Sequence, residues 1–502
     1  MNKRLAHPLG QRSAGVLLHI TSLPSPWGIG DIGPEARSFA SRLQASGQSI
    51  WQLLPLNPTS GAAGDSPYFS NAGQAGNTLL LSPDDLVADG LLDPGELPSP
   101  VADSCLQGDF SIARTIKTPL VRLAAQRVVE RRDSQFRNYC EQQSAWLEDY
   151  ALYVSLVEQH NSGWHRWPEA LKRREPEALA RAREELDPLI MCAKAEQFLF
   201  DLQWRRLQAH CDHCSVSLFG DLPIYVNRDS VDVWAAPKTF QLDDDLLPSL
   251  EAGVPPDYFS ETGQLWRNPV YNWQSLSEQR FRWWLDRLSR QLSRLDLLRI
   301  DHFRGLVKYW AVRAGSENAI QGQWMDVPTE ALLAEVCATF EPLPLVAEDL
   351  GTITDDVREI RDRYGIPGML VLQFAFGDDH HDNPYKPQNH RENAIAYLGT
   401  HDNNTTRGWL EHELDDAARH RLSEWVPDST GESGVRACVE LLLSSPANTA
   451  IVTAQDLLAL GPEARMNTPG QAEGNWRWRL TPEQCSALPL DWLCDRCTAH
   501  NR

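Results

Sequence analysis

Eight short apolar runs, most of them separated by helical stretches, constrain this chain more than any other feature of its sequence. They are Gly15–Ile20, Ser49–Leu54, Ser215–Phe219, Leu295–Ile300, Pro344–Ala347, Met369–Phe374, Ala394–Leu398 and Thr449–Thr453, each ending in polar, Gly- or Pro-containing sequence. Short runs that need not alternate suit strands buried on both faces of a parallel sheet. Phe281, Trp284, Leu285, Leu288 and Leu292 recur at helical spacing before the fourth run, as Leu332, Leu333 and Val336 do before the fifth. Strands alternating with helices in this way predict an α/β fold, a (β/α)8 TIM barrel.

At 502 residues the chain is about twice a typical barrel, so the surplus must be inserted. More than 150 residues separate the second and third runs, and they read as Arg- and Glu-rich helices. Trp146, Leu147, Tyr150, Val154 and Val157 make one apolar helix face, and Leu199, Leu202 and Leu207 belong to another. The expected division is 1–81 for the first part of the barrel, 82–214 for a mainly helical inserted subdomain, and 215–502 for the rest. A smaller insertion at about 228–272, rich in Pro, Asp and aromatics, is expected to cover the active site.

A formal charge of −21, spread along the chain, repels phosphates and argues against nucleic acid and anionic membrane as partners. It suits a neutral substrate. Eighteen Trp would serve sugar stacking or simply core packing. The ten cysteines lie far apart and read as reduced thiols of a cytoplasmic protein. Cys211/Cys214 and Cys494/Cys497 have the spacing of half zinc sites, but the plainer reading is a helix end and a C-terminal tail. The first apolar run, with His19 inside it, is too short and too polar for a signal or a membrane span.

Polar clusters follow the runs, where a barrel builds its active site. They are Gly220–Val226, Arg299–Gly305, Glu348–Gly351 and Gly399–Thr405. A retaining glycosidase needs one ionised carboxylate and one protonated carboxyl. Arg299, two residues before Asp301, shares its face of an extended strand and would keep Asp301 ionised. Glu348 follows Leu345-Val346-Ala347, and partly apolar surroundings would raise its pKa. Taken singly, each strand-end acid reads as well as a helix cap or an Arg partner. His302 and His401 lack the spacing of a metal site, and His380-His381-Asp382 reads as a solvated loop. No phosphate-binding glycine loop and no G-x-S-x-G elbow is present.

The segments HITSLPSPWGIGDIG from His19, WQLLPLNPT from Trp51, DSPYFS from Asp65, GDLPIYV from Gly220 and DVWAAPKTF from Asp232 run in a familiar order. GVPPDYFSETGQLW from Gly253, RIDHFRG from Arg299, EDLG from Glu348, GTHDN from Gly399 and MNTPGQAEGNW from Met466 continue it. The sequence resembles the amylomaltases, or disproportionating 4-alpha-glucanotransferases, of the alpha-amylase-like clan.

The resemblance implies a cytoplasmic transferase acting on alpha-1,4-glucans and maltooligosaccharides as donor and acceptor. It implies no metal or organic cofactor and no separate C-terminal β-domain. It assigns Asp301 as nucleophile, Glu348 as general acid/base and Asp402 as the third carboxylate, which grips sugar hydroxyls. Arg299, His302, His401 and Asp221 match positions that hold the reacting glucose, and Tyr68 matches an aromatic platform. Asp257 to Trp266 matches a mobile covering loop, with Trp266 beside the sugar. Two positions depart from the family pattern. Arg267 replaces a small residue near the expected acceptor side, and Asn404 replaces an acid whose loss would alter hydroxyl contacts. The rivals are a hydrolase using the same carboxylates and a catalytically silent glucan binder.

Overall fold

The computed structural model describes residues 9–101, 107–256, 260–471 and 473–502. Its strands, in chain order, are β1 (Ser13–Leu17), β2 (Ile50–Gln52), β3 (Ser217–Leu222), β4 (Leu250–Val254), β5 (Gln264–Pro269), β6 (Leu297–Ile300), β7 (Lys308–Arg313), β8 (Gly322–Asp326), β9 (Leu345–Ala347), β10 (Gly368–Val371), β11 (Ala394–Tyr397) and β12 (Thr449–Thr453). Eight of them close a parallel barrel in the order β1-β12-β11-β10-β9-β6-β3-β2, and each contains part of one apolar run. After β12 the described residues form helices and loops, and no further sheet.

The barrel lumen is filled by Leu17, Ile50, Phe219, Leu297, Val346, Met369, Val371, Ile395, Tyr397 and Ile451. A second, larger cluster lies between the strands and the helices. Burial on both faces is why the strands read as continuous apolar runs. Boundaries moved where turns intervene. The run ending at Phe374 splits into β10 and a 3-10 turn at Leu372–Phe374. β3 continues to Leu222 because Asp221 and Leu222 pair with Arg299 and Ile300 of β6.

Between β2 and β3 lie the helices Phe110–Arg131, Ser134–Gln142, Ser144–His160, Pro176–Glu185 and Asp187–His213. Leu147 and Tyr150 are buried, and Trp146, Val154 and Val157 pack half-buried against the core. Lys117, fully buried in the first of these helices, binds Asp31 Oδ2 at 3.2 Å and the carbonyls of Ile29 and Leu79 at 3.3 and 3.0 Å. It ties the helices to the loop after β1, because a buried ammonium persists only when fully partnered.

The four remaining strands form an antiparallel sheet in the order β5-β4-β7-β8. It joins the connection before β6 to the connection after it. The sequence reading missed this sheet. β8 is mostly exposed and β5 mostly half-buried or exposed, and neither has the apolar run that marks the barrel strands.

Most of the tryptophan is core: Trp51, Trp164, Trp204, Trp234 and Trp284 are among the largest fully buried side chains. None of the nine described cysteines forms a disulfide. Cys494 and Cys497 sit in a helix, Leu490–Ala499, rather than in a tail. Among the described residues no helix is long and apolar enough to cross a membrane.

Candidate active site

β6 and β9 are neighbours, and their C-terminal ends are laced together. Glu348 N–H donates to the carbonyl of Ile300, and Phe303 N–H donates to the carbonyl of Glu348, both at 3.0 Å. The Glu348 carboxylate accepts from His302 N–H at 2.7 Å through Oε2 and from Leu350 N–H at 3.1 Å through Oε1. The acid is thus clamped by backbone from its own loop and from the loop that carries Asp301.

Asp221 lies inside β3, not after it, with its side chain buried beside Arg299. Arg299 Nη1 donates to both Asp221 oxygens at 2.8 and 2.7 Å and lies 2.9 Å from Asp301 Oδ1. One guanidinium therefore serves two carboxylates.

Tyr68 joins this group from the loop after β2. Its hydroxyl donates to Asp221 Oδ2 at 2.7 Å and lies 2.8 Å from His401 Nε2. A phenol has one proton, and Asp221 receives it, so His401 Nε2 must carry the hydrogen of the second bond. The Tyr68 and His401 rings stack at 5.2 Å, with Trp476 tilted against both. His401 Nε2 also lies 3.4 Å from Asp402 Oδ2. Asp402, 41% exposed, is held by Asn467 Nδ2 at 2.6 Å and through its carbonyl by Arg465 at 2.7 Å. Trp266, on β5, stands edge-on to the His302 ring at 4.9 Å. His302 has a left-handed backbone (φ 50°), and Gly305 accommodates its ring, since a Cβ there would approach His302 Cδ2 to 2.9 Å.

Burial raises the Asp301 carboxyl above the usual carboxylate range, and Asp221, Glu348 and Asp402 push the same way against Arg299. Burial likewise raises Glu348, opposed by Arg299 and by its two backbone donors. The sequence reading had Arg299 keep Asp301 ionised. The structure divides that guanidinium between Asp301 and Asp221, so its pull is only part of the balance. Asp301 keeps 29% of its side-chain surface open, and water there tempers the upward push. Two such coupled acids are suited to sharing one proton. Burial lowers His302 to about 4 and His19 to about 3, and it lowers His401 as well. These imidazoles are neutral hydrogen-bonding groups.

All nine side chains expected from the sequence are described. Tyr68, Asp221, Arg299, Asp301, His401 and Asp402 form one connected cluster; Glu348 joins Asp301 through shared backbone and charge, and Trp266 joins through His302. Of the covering loop, Asp257, Tyr258 and Phe259 lie outside the described residues. Asn467, Arg465 and Trp476 were missed, although they lie in or beside the MNTPGQAEGNW segment. His19, whose Nδ1 accepts from Leu54 N–H at 3.2 Å, was missed too.

Asn404 is engaged within the fold. Its amide donates to Glu413 Oε1 at 2.8 Å, and its own oxygen accepts from Thr405 N–H. Arg267 has a left-handed backbone (φ 64°), which accounts for a small residue in the family pattern, and its side chain reaches the buried Glu251 at 3.0 Å. Among the described residues no group of three or more His, Cys, Asp or Glu side chains is arranged to hold a metal ion.

The 4-alpha-glucanotransferase family model matches residues 18–485. The 4-alpha-glucanotransferase of Aquifex aeolicus (strain VF5) is 44% identical over 471 residues, covering 93% of this chain and 95% of its own. That of Thermus thermophilus is 42% identical over 490 residues, with 95% and 96% covered. An amylomaltase from Streptococcus agalactiae, solved in complex with acarbose, superimposes with a TM-score of 0.93 at 34% identity, covering 98% of this chain and all of its own. The amylomaltase of Corynebacterium glutamicum, at 20% identity and a TM-score of 0.79 over 98% of this chain and 76% of its own, shares the fold. With the family model spanning the barrel and relatives above 40% identity along nearly the whole length, the chain belongs to the 4-alpha-glucanotransferase family.

Proposed function

We propose that the protein transfers a segment of an alpha-1,4-glucan to the 4-hydroxyl of another glucan or of glucose, with retention through a covalent glucosyl-enzyme. The observation that carries this reading is the laced pair of strand ends, with Asp301 on Arg299 and Glu348 held by two backbone N–H groups. Asp301 attacks the anomeric carbon while Glu348, holding the pair's shared proton, protonates the departing sugar oxygen. Negative charge on the pair is unchanged: Asp301 loses its charge to the new ester and Glu348 gains one. The acceptor hydroxyl then returns its proton to Glu348 as it displaces Asp301.

Asp402 grips hydroxyls of the reacting glucose in the transition state. Neutral His401 and His302 bond others without repelling Arg299, and Tyr68 with Asp221 forms the wall and platform. Trp266 packs over the sugar and keeps water from the ester. The lack of disulfides among the described cysteines supports a cytoplasmic setting, and the helices between β2 and β3 support an inserted subdomain over 82–214.

Incubation with maltotriose tests the proposal. Transfer releases glucose and longer maltooligosaccharides with the number of reducing ends unchanged. A rise in reducing ends matching product formation assigns a hydrolase, and no turnover assigns a silent binder.

A further inference from the structure

The antiparallel sheet carries an aromatic surface outside the reacting centre. Trp324 on β8 is 40% exposed, unusual for so large a ring. It pairs in register with Trp310 on β7, and their rings meet edge to face at 5.3 Å. Trp310 is fixed from two sides. Its Nε1 donates to the carbonyl of Ala319 at 2.9 Å, and Gly322 leaves its ring room, since a Cβ there would come within 2.5 Å. Lys308 pairs with Asp326 two residues along the same strands, so all four side chains lie on one face of the ribbon. Beside them an open groove of about 370 Å³ is lined by Lys308, Asp326 and Asp356 with Val307, Pro328 and Ile360.

This face is continuous with the catalytic loops. The Arg304 guanidinium stacks on Trp324 at 4.2 Å and donates to the carbonyl of Thr352. Arg304 follows Asp301 by three residues and Thr352 follows Glu348 by four, so the platform rests on both loops that carry the reacting pair.

We propose that Trp324, braced by Arg304 and Trp310, is a remote stacking platform for an alpha-1,4-glucan chain, and that Lys308 and Asp326 bond its hydroxyls. The proposal rests on the transferase reading above. An exposed aromatic ring flanked by polar side chains fits the apolar face and hydroxyl rim of a glucose unit, and a neutral polymer accounts for a groove that holds both charge signs. The occupant is a chain segment several units from the reacting glucose, so the platform acts on long glucans and leaves short ones alone.

The test compares wild type, Trp324→Ala and Trp324→Phe with maltotriose and with amylose. Migration of each in an Asp301→Ala background through amylose-containing native gels gives binding without turnover. Loss of the ring should raise KM for amylose about two- to ten-fold, the range for one aromatic contact. Maltotriose kinetics should stay as they are, gel retardation should fall, and Trp324→Phe should restore most of both. Unchanged retardation, or equal changes with both substrates, overturns the proposal. A wild-type dimer that Trp324→Ala dissolves would assign the face to a second copy and overturn it too. If Trp324→Ala does not fold, Lys308→Ala with Asp326→Ala decides by the same gel, since those side chains are 43% and 88% exposed. Retardation without maltotriose turnover in wild type would keep the platform and reject the transferase reading.

Discussion

Replacing Glu348 by Gln separates the chemistry of this residue from its structural duty. The carboxylate accepts one backbone N–H at each oxygen, from His302 at 2.7 Å and from Leu350 at 3.1 Å. An amide keeps one of these bonds and turns its NH2 toward the other donor. Losing one hydrogen bond to a charged group costs about 1.5–3 kcal/mol, partly offset because a buried acid no longer needs to ionise. The chemical loss is larger. General acid help of ~10²–10⁴ corresponds to ~2.7–5.5 kcal/mol of barrier. With maltotriose, kcat should fall by that factor, whereas glucosyl-enzyme formation from maltosyl fluoride, whose leaving group needs little protonation, should largely survive.

The pH profile with the fluoride gives a second reading. In the reacting form Glu348 already holds the proton and carries no charge, so Gln should leave the acid limb, set by Asp301, where it lies in wild type. Rates on both donors over pH, with the melting temperature as a control for folding, test all of this. Equal loss on both donors in a folded variant would remove Glu348 from the acid role, and a displaced acid limb would refute the assignment of the proton to Glu348.

Arg299→Gln should shift both limbs of the kcat/KM profile to higher pH, because Arg299 lowers both Asp301 and Glu348; a shift to lower pH would contradict the assignment. It should also destabilise the fold by about 3–5 kcal/mol, measured by denaturant unfolding, since it strands the buried Asp221. Trp266→Ala should raise the ratio of hydrolysis to transfer, read as reducing ends against glucose released, and an unchanged ratio would make that ring structural. Asn404→Asp should lower the melting temperature by about 1–3 °C by facing Glu413 with a like charge, and kcat on maltotriose should hold.

The barrel was legible because burial on both faces wrote eight apolar runs into the sequence, with Thr449–Thr453 recovered to the residue. The antiparallel sheet was not. Strands such as Gly322–Asp326 are held by pairing to β7, which itself pairs with β4 from the connection before β6. Asp301, Glu348 and Asp402 stood out as acids at strand ends. Asn467 did not, because an amide bonded to Asp402 across the fold leaves no local pattern. The division of Arg299 between two carboxylates is equally invisible, since Asp221 meets it through the register of β3 against β6. Asn404 was read as a missing charge because its partner, Glu413, lies on the following helical segment and had no place in the motif.

The barrel is sealed by β12 against β1, with Ser13 opposite Thr449 and Leu17 opposite Thr453. Arg502 adds bonds to the carbonyls of Ser13 and Asn448, and Arg12 reaches back to Ser445 and His500. On the ribosome, β1 and β2 emerge hundreds of residues before the strand that completes their sheet. At a synthesis pace of about 5–20 residues per second, the interval is roughly half a minute, far longer than local helices need to form. For that time the edges of β1 and of the latest strand stand open. The helices between β2 and β3 can fold within the wait, while the last closure carries a high contact order and is slow. Chaperone dependence during synthesis should therefore track the availability of Thr449–Thr453 rather than the state of the catalytic loops.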